Sequence, residues 1–368
     1  MQNPLGIMVR GRTPCAPTLA LVMLLCAASV RCAPTPQAPT PVRVLFAGSL
    51  IIPFDALEKA YEAGHPGVDI QMEGHGSIQV IRHVTELHEP TDVVVTADHA
   101  LIPMLMYTST VPETGMPYAR WYVKFATNRL GLAYSERSRY AEEVNDQNWY
   151  EIITRPGVLV GIADPRFDAA GYRALMALQL AEDAYGNLTI FDDAILGRFK
   201  TPITAFVDDE MAVIHVPEIV EAKQDTGMVI RGASIQLIAL LESGDLDYAF
   251  EYESVIEQHG LQVVRLPGAV NLGDPAYAGA YARVQVQLDF QRFASVKPVF
   301  AGEVIGYGVT IPTNAPHPAA AEDFVAFLLG DAGQALLAQY HHPAIVPPQA
   351  DHFDALPAAL QSLCVAMP

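Results

Sequence analysis

The segment VRVLFAGSLIIPFDALEKAYEAGHPGVDI, residues 42–70, reads as a strand, a tight turn and an amphipathic helix. The apolar run Val42–Phe46 stops at Ala47-Gly48-Ser49, and the helical pattern starts near Pro53, which suits a first helical turn. A strand-to-helix turn exposes free backbone N–H groups beside the positive end of the helix dipole. Gly48 permits close approach and Ser49 adds a hydroxyl donor, so the turn favours an anion site. An ordinary serine-capped turn is the alternative.

Strand and helix patterns continue to alternate along the chain, without a repeat of 20–50 residues. The patterns predict strands at Val68–Met72, Asp92–Thr96, Val158–Ala163, Tyr248–Tyr252 and Val304–Ile311, and helices at Phe54–Ala63, Ser77–Leu87, Gly171–Asp183, Ala233–Glu242 and Ala320–Leu329. The long apolar run Val123–Tyr134 is a candidate crossing between two lobes. We therefore predict an α/β fold of two lobes, with a cleft at the carboxyl ends of the strands.

The charge of the chain is strongly acidic. Its 368 residues are 51% hydrophobic and carry a formal net charge of −19. The first 32 residues contain three arginines and no acid, so the remainder is more acidic still. This balance argues against nucleic acid and against anionic membrane surfaces as partners. If the ligand is an anion, local donors must hold it against the field of the whole protein.

The N-terminal residues resemble a secretory leader. Arg10 and Arg12 precede the apolar run Leu19–Val30, which is too short to span a bilayer. Cys32 follows this run and precedes the proline-rich sequence APTPQAPTP, which suits a lipid-modified cysteine on a tether. Simple cleavage near Ala28 is the alternative. Since Cys364 is the only cysteine after Cys32, we expect no internal disulfide framework.

Turns with small, hydroxyl-bearing or acidic residues follow four of the predicted strands. They are AGS (Ala47–Ser49), GHGS (Gly74–Ser77), ADPRFDAAGYR (Ala163–Arg173) and FEYES (Phe250–Ser254). Ser49 and Ser77 share one context, a strand end followed by a helix, so together they favour a donor-rich pocket. Asp168 precedes a helix and is a cap or a site residue. Glu251 lies inside an apolar strand, where an unpaired carboxylate is costly unless the strand edge exposes it.

Other chemistries have weaker signals. An exported hydrolase using Asp168 and Glu251 as an acid/base pair is the rival from a different class. Sugar sites usually add tryptophan platforms, and neither Trp121 nor Trp149 adjoins these motifs. His83 and His88 do not share a helix face, and His341 and His342 are adjacent, so neither pair predicts a metal site. The tyrosine of AGYR, Tyr172, is interpreted as packing. No phosphate-binding or nucleophile-elbow motif is present.

Five ordered motifs between Val42 and Pro348 resemble one family. They are VRVLFAGSLIIPFDALEKAYEAGHPGVDIQMEG, TDVVVTADHALIPMLM, NWYEIITRPGVLVGIADPRFDAAGYRALMALQLAE, LLESGDLDYAFEYESVIEQHGL and NLGDPAYAGAYARV. They are similar to the tungstate/molybdate-binding proteins of ABC importers, in particular the archaeal-type tungstate subgroup. The chain has GHGS where that family more usually has SGS, and lacks the Pro and Cys that usually follow Asp168.

This resemblance implies a type II periplasmic-binding-protein fold, with each lobe a mixed or parallel sheet flanked by helices. It implies that Asp168 and Glu251 add two carboxylate ligands to the metal of the oxyanion, and that Ser49 and Ser77 donate hydrogen bonds to its oxo groups. The implied function is capture of tungstate or molybdate for an ABC permease, without catalysis and without a cofactor besides the ligand. Another tetrahedral oxyanion such as sulfate is the alternative within this class.

The resemblance and the patterns together predict the organisation of the chain. We expect a leader at 1–32, a tether at 33–41, lobe 1 at 42–122 and 308–348, lobe 2 at 123–307, and a tail at 349–368. The protein should be exported, periplasmic or on the outer face of the cytoplasmic membrane, and monomeric. Lipid attachment at Cys32 would tether it there.

Overall fold

The first strand of the folded chain begins at Thr40, inside the predicted tether, and ends at Ala47. The structure is a computed structural model that describes residues 38–208, 210–289 and 298–368. The predicted leader, Cys32 and most of the tether lie outside the described residues. Residues 39–368 form one compact unit. The tether therefore ends before Thr40, because Thr40 and Pro41 pair with the neighbouring strand.

The described residues contain sixteen strands, numbered here in chain order. They are β1 (Thr40–Ala47), β2 (Val68–His75), β3 (Val93–Thr96), β4 (Tyr122–Thr127), β5 (Leu130–Tyr134), β6 (Val160–Ala163), β7 (Thr204–Val207), β8 (Ala212–Val216), β9 (Met228–Arg231), β10 (Tyr248–Tyr252), β11 (Gln262–Arg265), β12 (Val284–Leu288), β13 (Val299–Ala301), β14 (Gly306–Thr310), β15 (Ala344–Asp351) and β16 (Val365–Ala366).

The helices alternate with these strands, as the patterns predict. They are α1 (Ile51–Gly64), α2 (Ser77–Thr85), α3 (Trp149–Ile152), α4 (Ala169–Tyr185), α5 (Ile190–Ile195), α6 (Ile235–Ser243), α7 (Glu253–Gln258), α8 (Ala278–Tyr281), α9 (Pro318–Leu329), α10 (Asp331–Gln339) and α11 (Ala358–Gln361). Short 3₁₀ turns occupy Gly48–Leu50, Pro275–Tyr277 and Phe353–Ala355, and a π-helical turn occupies Ile102–Met106.

The strands form three mixed sheets. The first has the order β16-β15-β4-β14-β3-β1-β2, the second β11-β5-β10-β6-β9 and the third β13-β12-β8-β7. In the first sheet, β1 lies parallel to both β2 and β3. All four residues of β3 are buried. Strands buried on both faces carry continuous apolar runs, and this explains the VVVT sequence of β3.

Helix α4 lies between the second and third sheets. It contacts β6 and β10 of the second sheet and β8 and β12 of the third. Every residue from Ala169 to Glu182 is buried. A helix covered on all sides needs apolar residues around its whole circumference, and the sequence AAGYRALMALQLAE supplies them. Tyr172 and Arg173, near its N-terminus, are buried with it.

The predicted crossing strand Val123–Tyr134 is two strands. Its first half is β4 of the first sheet, and its second half is β5 of the second sheet, with Asn128 and Arg129 between them. The chain returns to the first sheet between β13 and β14. The boundary between the lobes, which we expected between residues 122 and 123, therefore follows β4 and lies at Asn128 and Arg129. The expected tail at 349–368 also contributes to the first sheet, through the end of β15 and through β16.

We use "first lobe" for the elements around the first sheet and "second lobe" for those around the second and third sheets. No helix among the described residues has the length and apolar character needed to cross a bilayer. Cys364 is a buried free thiol.

Candidate functional site

The turn that opens the folded chain places Ser49 at the start of α1. Residues Gly48–Leu50 form one 3₁₀ turn and Ser49 is buried. Its Oγ lies 3.0 Å from the hydroxyl oxygen of Tyr307, on β14. Asn128 also donates a hydrogen bond to the Tyr307 hydroxyl, at 3.1 Å. The Ser49 hydroxyl is thus oriented by a buried network at the crossing between the lobes.

Ser77 is the first residue of α2 and is also buried. Its Oγ accepts a hydrogen bond from the backbone N–H of Ala97 at 2.9 Å, which leaves its own hydrogen available for donation. A Cβ atom at the preceding Gly76 would lie 2.5 Å from the carbonyl oxygen of Phe167 and 3.2 Å from Cβ of Asp168. Only glycine permits this approach, so the start of α2 packs directly on the turn that carries Asp168.

Asp168 is the N-cap of α4 and is buried. Its Oδ1 accepts from the N–H of Ala170 at 2.9 Å, and its Oδ2 accepts from the N–H of Ser234 at 3.0 Å. Burial raises the pKa of Asp168, while these two backbone hydrogen bonds oppose the shift. The capping interpretation is confirmed, because Oδ1 accepts from the second residue of α4. Asp168 also packs on Gly76 of the first lobe, and its role in a ligand site stays a prediction.

Glu251 has no exposed surface. It lies on β10, the central strand of the second sheet, so the strand-edge alternative does not apply. Its Oε1 accepts from the N–H of Tyr252 at 2.7 Å, and its Oε2 has no hydrogen-bond partner among the described residues. Burial raises its pKa to about 8; the Tyr252 N–H and the Ser234 side chain oppose this, and the charge of Asp168 adds to it. A buried carboxylate with one free oxygen is a costly feature that a ligand would relieve.

The four predicted residues lie on segments that meet between the lobes, and neighbouring residues connect them. Ser234 donates its backbone N–H to Asp168, and its side chain is near enough to Glu251 to lower the pKa of that carboxyl. The next residue, Ile235, lies 3.3 Å from the Cβ position of Gly48 on the first lobe. Ser77 reaches the cluster through Gly76, which packs on Asp168. We refer to Ser49, Ser77, Asp168 and Glu251 as the interlobe cluster.

Sequence reasoning missed two members of this environment. Ser234 lies in the sequence GAS just before α6, which matches no motif. It contacts Asp168 through its backbone N–H, which any residue at this position would have. Tyr307 lies within VIGYGVTI, where an aromatic residue in an apolar strand predicts packing. Its pKa is raised by burial, with a further contribution from Glu251, so the two side chains are close enough to interact electrostatically. Neither residue carried a local signal of its role.

A second polar contact joins the lobes beside the cluster. Asp98 follows β3 on the first lobe, and Arg173 and Tyr172 lie on α4 of the second. The Tyr172 hydroxyl donates to Asp98, and Arg173 Nη2 lies 3.4 Å from the Asp98 Oδ2. Arg173 Nη1 donates to the carbonyl of Ala97 at 2.6 Å and to the Tyr252 hydroxyl at 2.7 Å. Tyr172 also stacks on Phe300, with ring centroids 4.2 Å apart, so packing is only part of its role.

This interlobe contact, Asp98–Arg173–Tyr172, is fully buried. Burial alone would favour a neutral carboxyl, but the charge of Arg173, with His99 and the Tyr172 hydroxyl, holds the pKa of Asp98 well below its usual range. Asp98 is thus an anion whose partner lies on the other lobe. Because a buried charge without its partner is costly, the contact stabilises the arrangement of the lobes in this structure.

Two mixed-sheet lobes, two chain crossings and a buried polar cluster between them define the class of two-lobed binding proteins. The periplasmic molybdate-binding protein of Azotobacter vinelandii has this fold; it matches 82% of this chain and 98% of its own at 13% identity, with a TM-score of 0.51. The predicted fold class is confirmed.

Sequence comparisons give the family. Residues 42–342 match the family model "Bacterial extracellular solute-binding protein", and the chain belongs to this family. An uncharacterized solute-binding protein of Methanoculleus marisnigri is 38% identical over 88% of this chain and 86% of its own. The molybdate/tungstate-binding protein WtpA of Thermococcus kodakarensis is 36% identical over 94% of this chain and 95% of its own.

Proposed function

We propose that the protein captures tungstate or molybdate outside the cytoplasmic membrane and delivers it to an ABC permease, without catalysing a reaction. The observation that carries this proposal is Glu251, a fully buried carboxylate with one oxygen lacking a hydrogen-bond partner in the described structure, adjacent to a second buried carboxylate, Asp168. The similarity to WtpA of Thermococcus kodakarensis over nearly the whole of both chains supports the same ligand.

The chemistry of two carboxylates selects the kind of anion. A carboxylate repels a dianion, and the repulsion is strong in a site that excludes water. Two of them help only if their oxygens bond directly to an electron-poor centre that accepts additional ligands. Tungsten and molybdenum expand from four to six ligands in this way, whereas the sulfur of sulfate and the phosphorus of phosphate do not. Asp168 and Glu251 would therefore ligate the metal of the oxyanion.

The serines would recognise the oxo groups. Ser77 has its hydroxyl hydrogen free while its oxygen accepts from Ala97, and Ser49 is oriented by Tyr307. Residues from both lobes would contact one ligand, so the ligand would bind the closed arrangement better than an open one. The permease would then distinguish loaded from empty protein by this closure. Attachment through an acylated Cys32 would keep the protein beside its permease.

A panel of ligands tests the proposal directly. Thermal unfolding would be followed with tungstate, molybdate, sulfate, phosphate and simple glycosides at equal concentrations. Stabilisation grows with the ratio of ligand concentration to dissociation constant, so a tight ligand shifts the midpoint strongly. We expect large shifts for tungstate and molybdate alone. A larger shift with sulfate would support the oxyanion alternative, and a shift or turnover with a glycoside would support a hydrolase.

Replacing either serine with alanine should weaken tungstate binding. A hydrogen bond to a charged group contributes roughly 1.5–3 kcal/mol, which corresponds to an affinity loss of about tenfold to 150-fold. Ser77→Ala should also lower the unfolding free energy by ~1–3 kcal/mol, because the buried N–H of Ala97 loses its acceptor. Isothermal titration calorimetry would measure the affinities. Ser138→Ala, a buried serine that bonds to the Asp247 carbonyl, is the matched control and should retain wild-type affinity.

Closure of the ligand-free protein should depend on pH. In the closed arrangement the pKa of Glu251 is raised to about 8, whereas a solvated glutamate titrates near its usual pKa of about 4.3. Between these values the closed state binds more protons, so lowering the pH favours closure and raising it towards 8 disfavours closure. We expect a smaller radius of gyration at pH 5 than at pH 8 by small-angle scattering.

Two variants separate Glu251 from other acids in this measurement. Glu251→Gln should show a clearly weaker pH dependence than the wild type, because no charge develops at that position; the raised pKa of Asp168 leaves a smaller dependence. Glu182 also has a raised pKa from burial, but it bonds to Gln179 and Phe191 within the second lobe. Glu182→Gln should therefore keep the wild-type dependence. An unchanged pH dependence in Glu251→Gln would contradict the assignment.

A further inference from the structure

Two histidines and two glutamates meet on the first lobe, outside the interlobe cluster. Glu73 and His75 lie at the end of β2, His83 lies on α2, and Glu89 follows α2. His75 Nε2 is 2.8 Å from Glu73 Oε1, and His83 Nδ1 is 2.9 Å from Glu89 Oε1. The two imidazole rings stack with centroids 4.4 Å apart. We call these four residues the His75–His83 cluster.

The cluster offers the ligand atoms of a transition-metal site. One carboxylate oxygen of Glu73 and one ring nitrogen each of His75 and His83 all lie within 4.8 Å of one another. Zn²⁺ binds imidazole nitrogen and carboxylate oxygen at about 2.0–2.2 Å, so side-chain rotations suffice to bring these atoms onto one ion. About a quarter of each histidine side chain is exposed, which gives an ion access from solvent.

Glu89 contacts His83 without being one of the three ligand residues. Metal-binding histidines usually engage a carboxylate through the other ring nitrogen, which fixes the ring and raises its basicity. The contact between Glu89 and His83 Nδ1 has this form. The spacing of His83 and His88 predicts no metal site formed by those two residues. In the structure His83 stacks on a different histidine. Its partner is His75, eight positions earlier, which β2 and the turn at Gly76 bring against α2.

The local charges suit a cation. Arg43 donates to Glu73 at 2.9 Å and also to Glu89. The hydrogen bonds of Glu73 with Arg43 and His75 lower its pKa, so it is an anion at neutral pH. With neutral imidazoles, the two carboxylates and one guanidinium leave a net charge of about −1 on the neighbourhood, within a protein of net charge −19. Arg43 reduces the attraction for a cation but does not reverse it.

A second group of similar residues is less suited to a metal. Among the described residues, Asp98, His99 and Glu303 also bring ligand atoms within 4.8 Å of one another. That group is next to the buried charge of Arg173, which pairs with Asp98, and to Lys124, which acts on Glu303. Two cations in the same buried region already neutralise these carboxylates.

We propose that the His75–His83 cluster binds one divalent transition-metal ion of the Zn²⁺ type, with Glu73, His75 and His83 as ligands and Glu89 as the support of His83. The ion would link the end of β2 to α2, the two elements that Gly76 connects. The inference does not depend on which solute the interlobe cluster holds.

The test uses the protein without an affinity tag, after dialysis against a chelator. We expect Zn²⁺ titration by calorimetry to give one site per chain, and Co²⁺ to give visible absorption bands that Zn²⁺ removes. The double variant His75→Gln/His83→Gln should lose both signals. Glu89→Gln should weaken Zn²⁺ binding by about 10–100-fold, as expected for a support outside the ligand set.

The matched control is His259→Gln. His259 Nδ1 lies 3.0 Å from Glu242 Oε1, and among the described residues this pair belongs to no group of three metal-ligand side chains. This variant should bind Zn²⁺ like the wild type. Because both histidines are partly exposed and glutamine can still hydrogen-bond to the two glutamates, the double variant should melt close to the wild-type temperature in the absence of metal. Absence of stoichiometric Zn²⁺ binding to the wild type, or equal binding by the double variant, would overturn the proposal. The affinity for oxyanions is measured in a separate experiment. Its result tests the proposed function and not the Zn²⁺ site.

Discussion

Glu251→Gln should lower the affinity for tungstate at least about 100-fold, which corresponds to ~2.7 kcal/mol of binding free energy. The amide keeps the size of the side chain but removes the anionic oxygen that would ligate the metal. The ligand-free fold should stay intact, because glutamine has the same size as glutamate and its amide oxygen can still accept from the N–H of Tyr252. Calorimetry gives the affinity, and thermal unfolding gives the stability.

Asp168→Asn should weaken tungstate binding for the same reason. Asparagine is also a good N-cap, so α4 should persist, although only one amide oxygen remains for the two backbone N–H groups of Ala170 and Ser234. A modest loss of stability, ~1 kcal/mol, is therefore expected here and not in Glu251→Gln.

Sulfate distinguishes metal ligation from general anion recognition. Both variants should bind sulfate as well as the wild type or better, since a repulsive charge has gone. Glu182→Gln, a buried glutamate within the second lobe, should leave both affinities unchanged. Equal losses for tungstate and sulfate would refute metal ligation. Wild-type tungstate affinity in the double variant Asp168→Asn/Glu251→Gln would remove both residues from the site.

Arg173→Met should have the second largest effect. The substitution leaves Asp98 buried without its cation, and breaking such a pair typically costs about 3–5 kcal/mol. Because Asp98 and Arg173 belong to different lobes, much of this cost should fall on the closed state. We therefore expect a loss of tungstate affinity of about 100-fold or more, together with a larger radius of gyration in scattering with subsaturating ligand.

A double-mutant cycle gives this prediction its control. Asp98→Asn/Arg173→Met removes both charges and should recover part of the affinity, because no unpaired charge remains buried. Arg139→Met breaks a pair with the buried Asp247 inside the second lobe, at 2.7 Å, in which the Arg139 side chain is half exposed. Because both partners belong to one lobe, this variant should change affinity little. Additive effects of the two single variants, or a loss of stability with unchanged affinity, would show that the contact does not hold the lobes together.

Much of the fold was predictable because its signals are local. The β1 run ends at a glycine and a serine, β10 matches its predicted bounds, and the helices at Ser77 and Pro318 begin within two residues of the predicted positions. Hydrophobic periodicity and turn residues depend on only a few neighbouring positions, so they predict strands and helices without knowledge of the rest of the chain. The division of Val123–Tyr134 was not predictable, because apolar residues continue through the crossing and only sheet membership separates β4 from β5.

The candidate site also has a part that the sequence indicates and a part that only the tertiary structure shows. Ser49, Ser77, Asp168 and Glu251 each have a local signal, a strand end, a helix start or a charge in an apolar strand. These signals make them candidates, and the resemblance to the family assigns their roles. Their partners have none. Asp98 and Tyr172 are 74 positions apart, Ser49 and Tyr307 are 258 apart, and His75 and His83 are joined by a helix face and a strand end. Such pairs form only when sheet order and lobe packing bring distant segments together, and residue spacing carries no record of that.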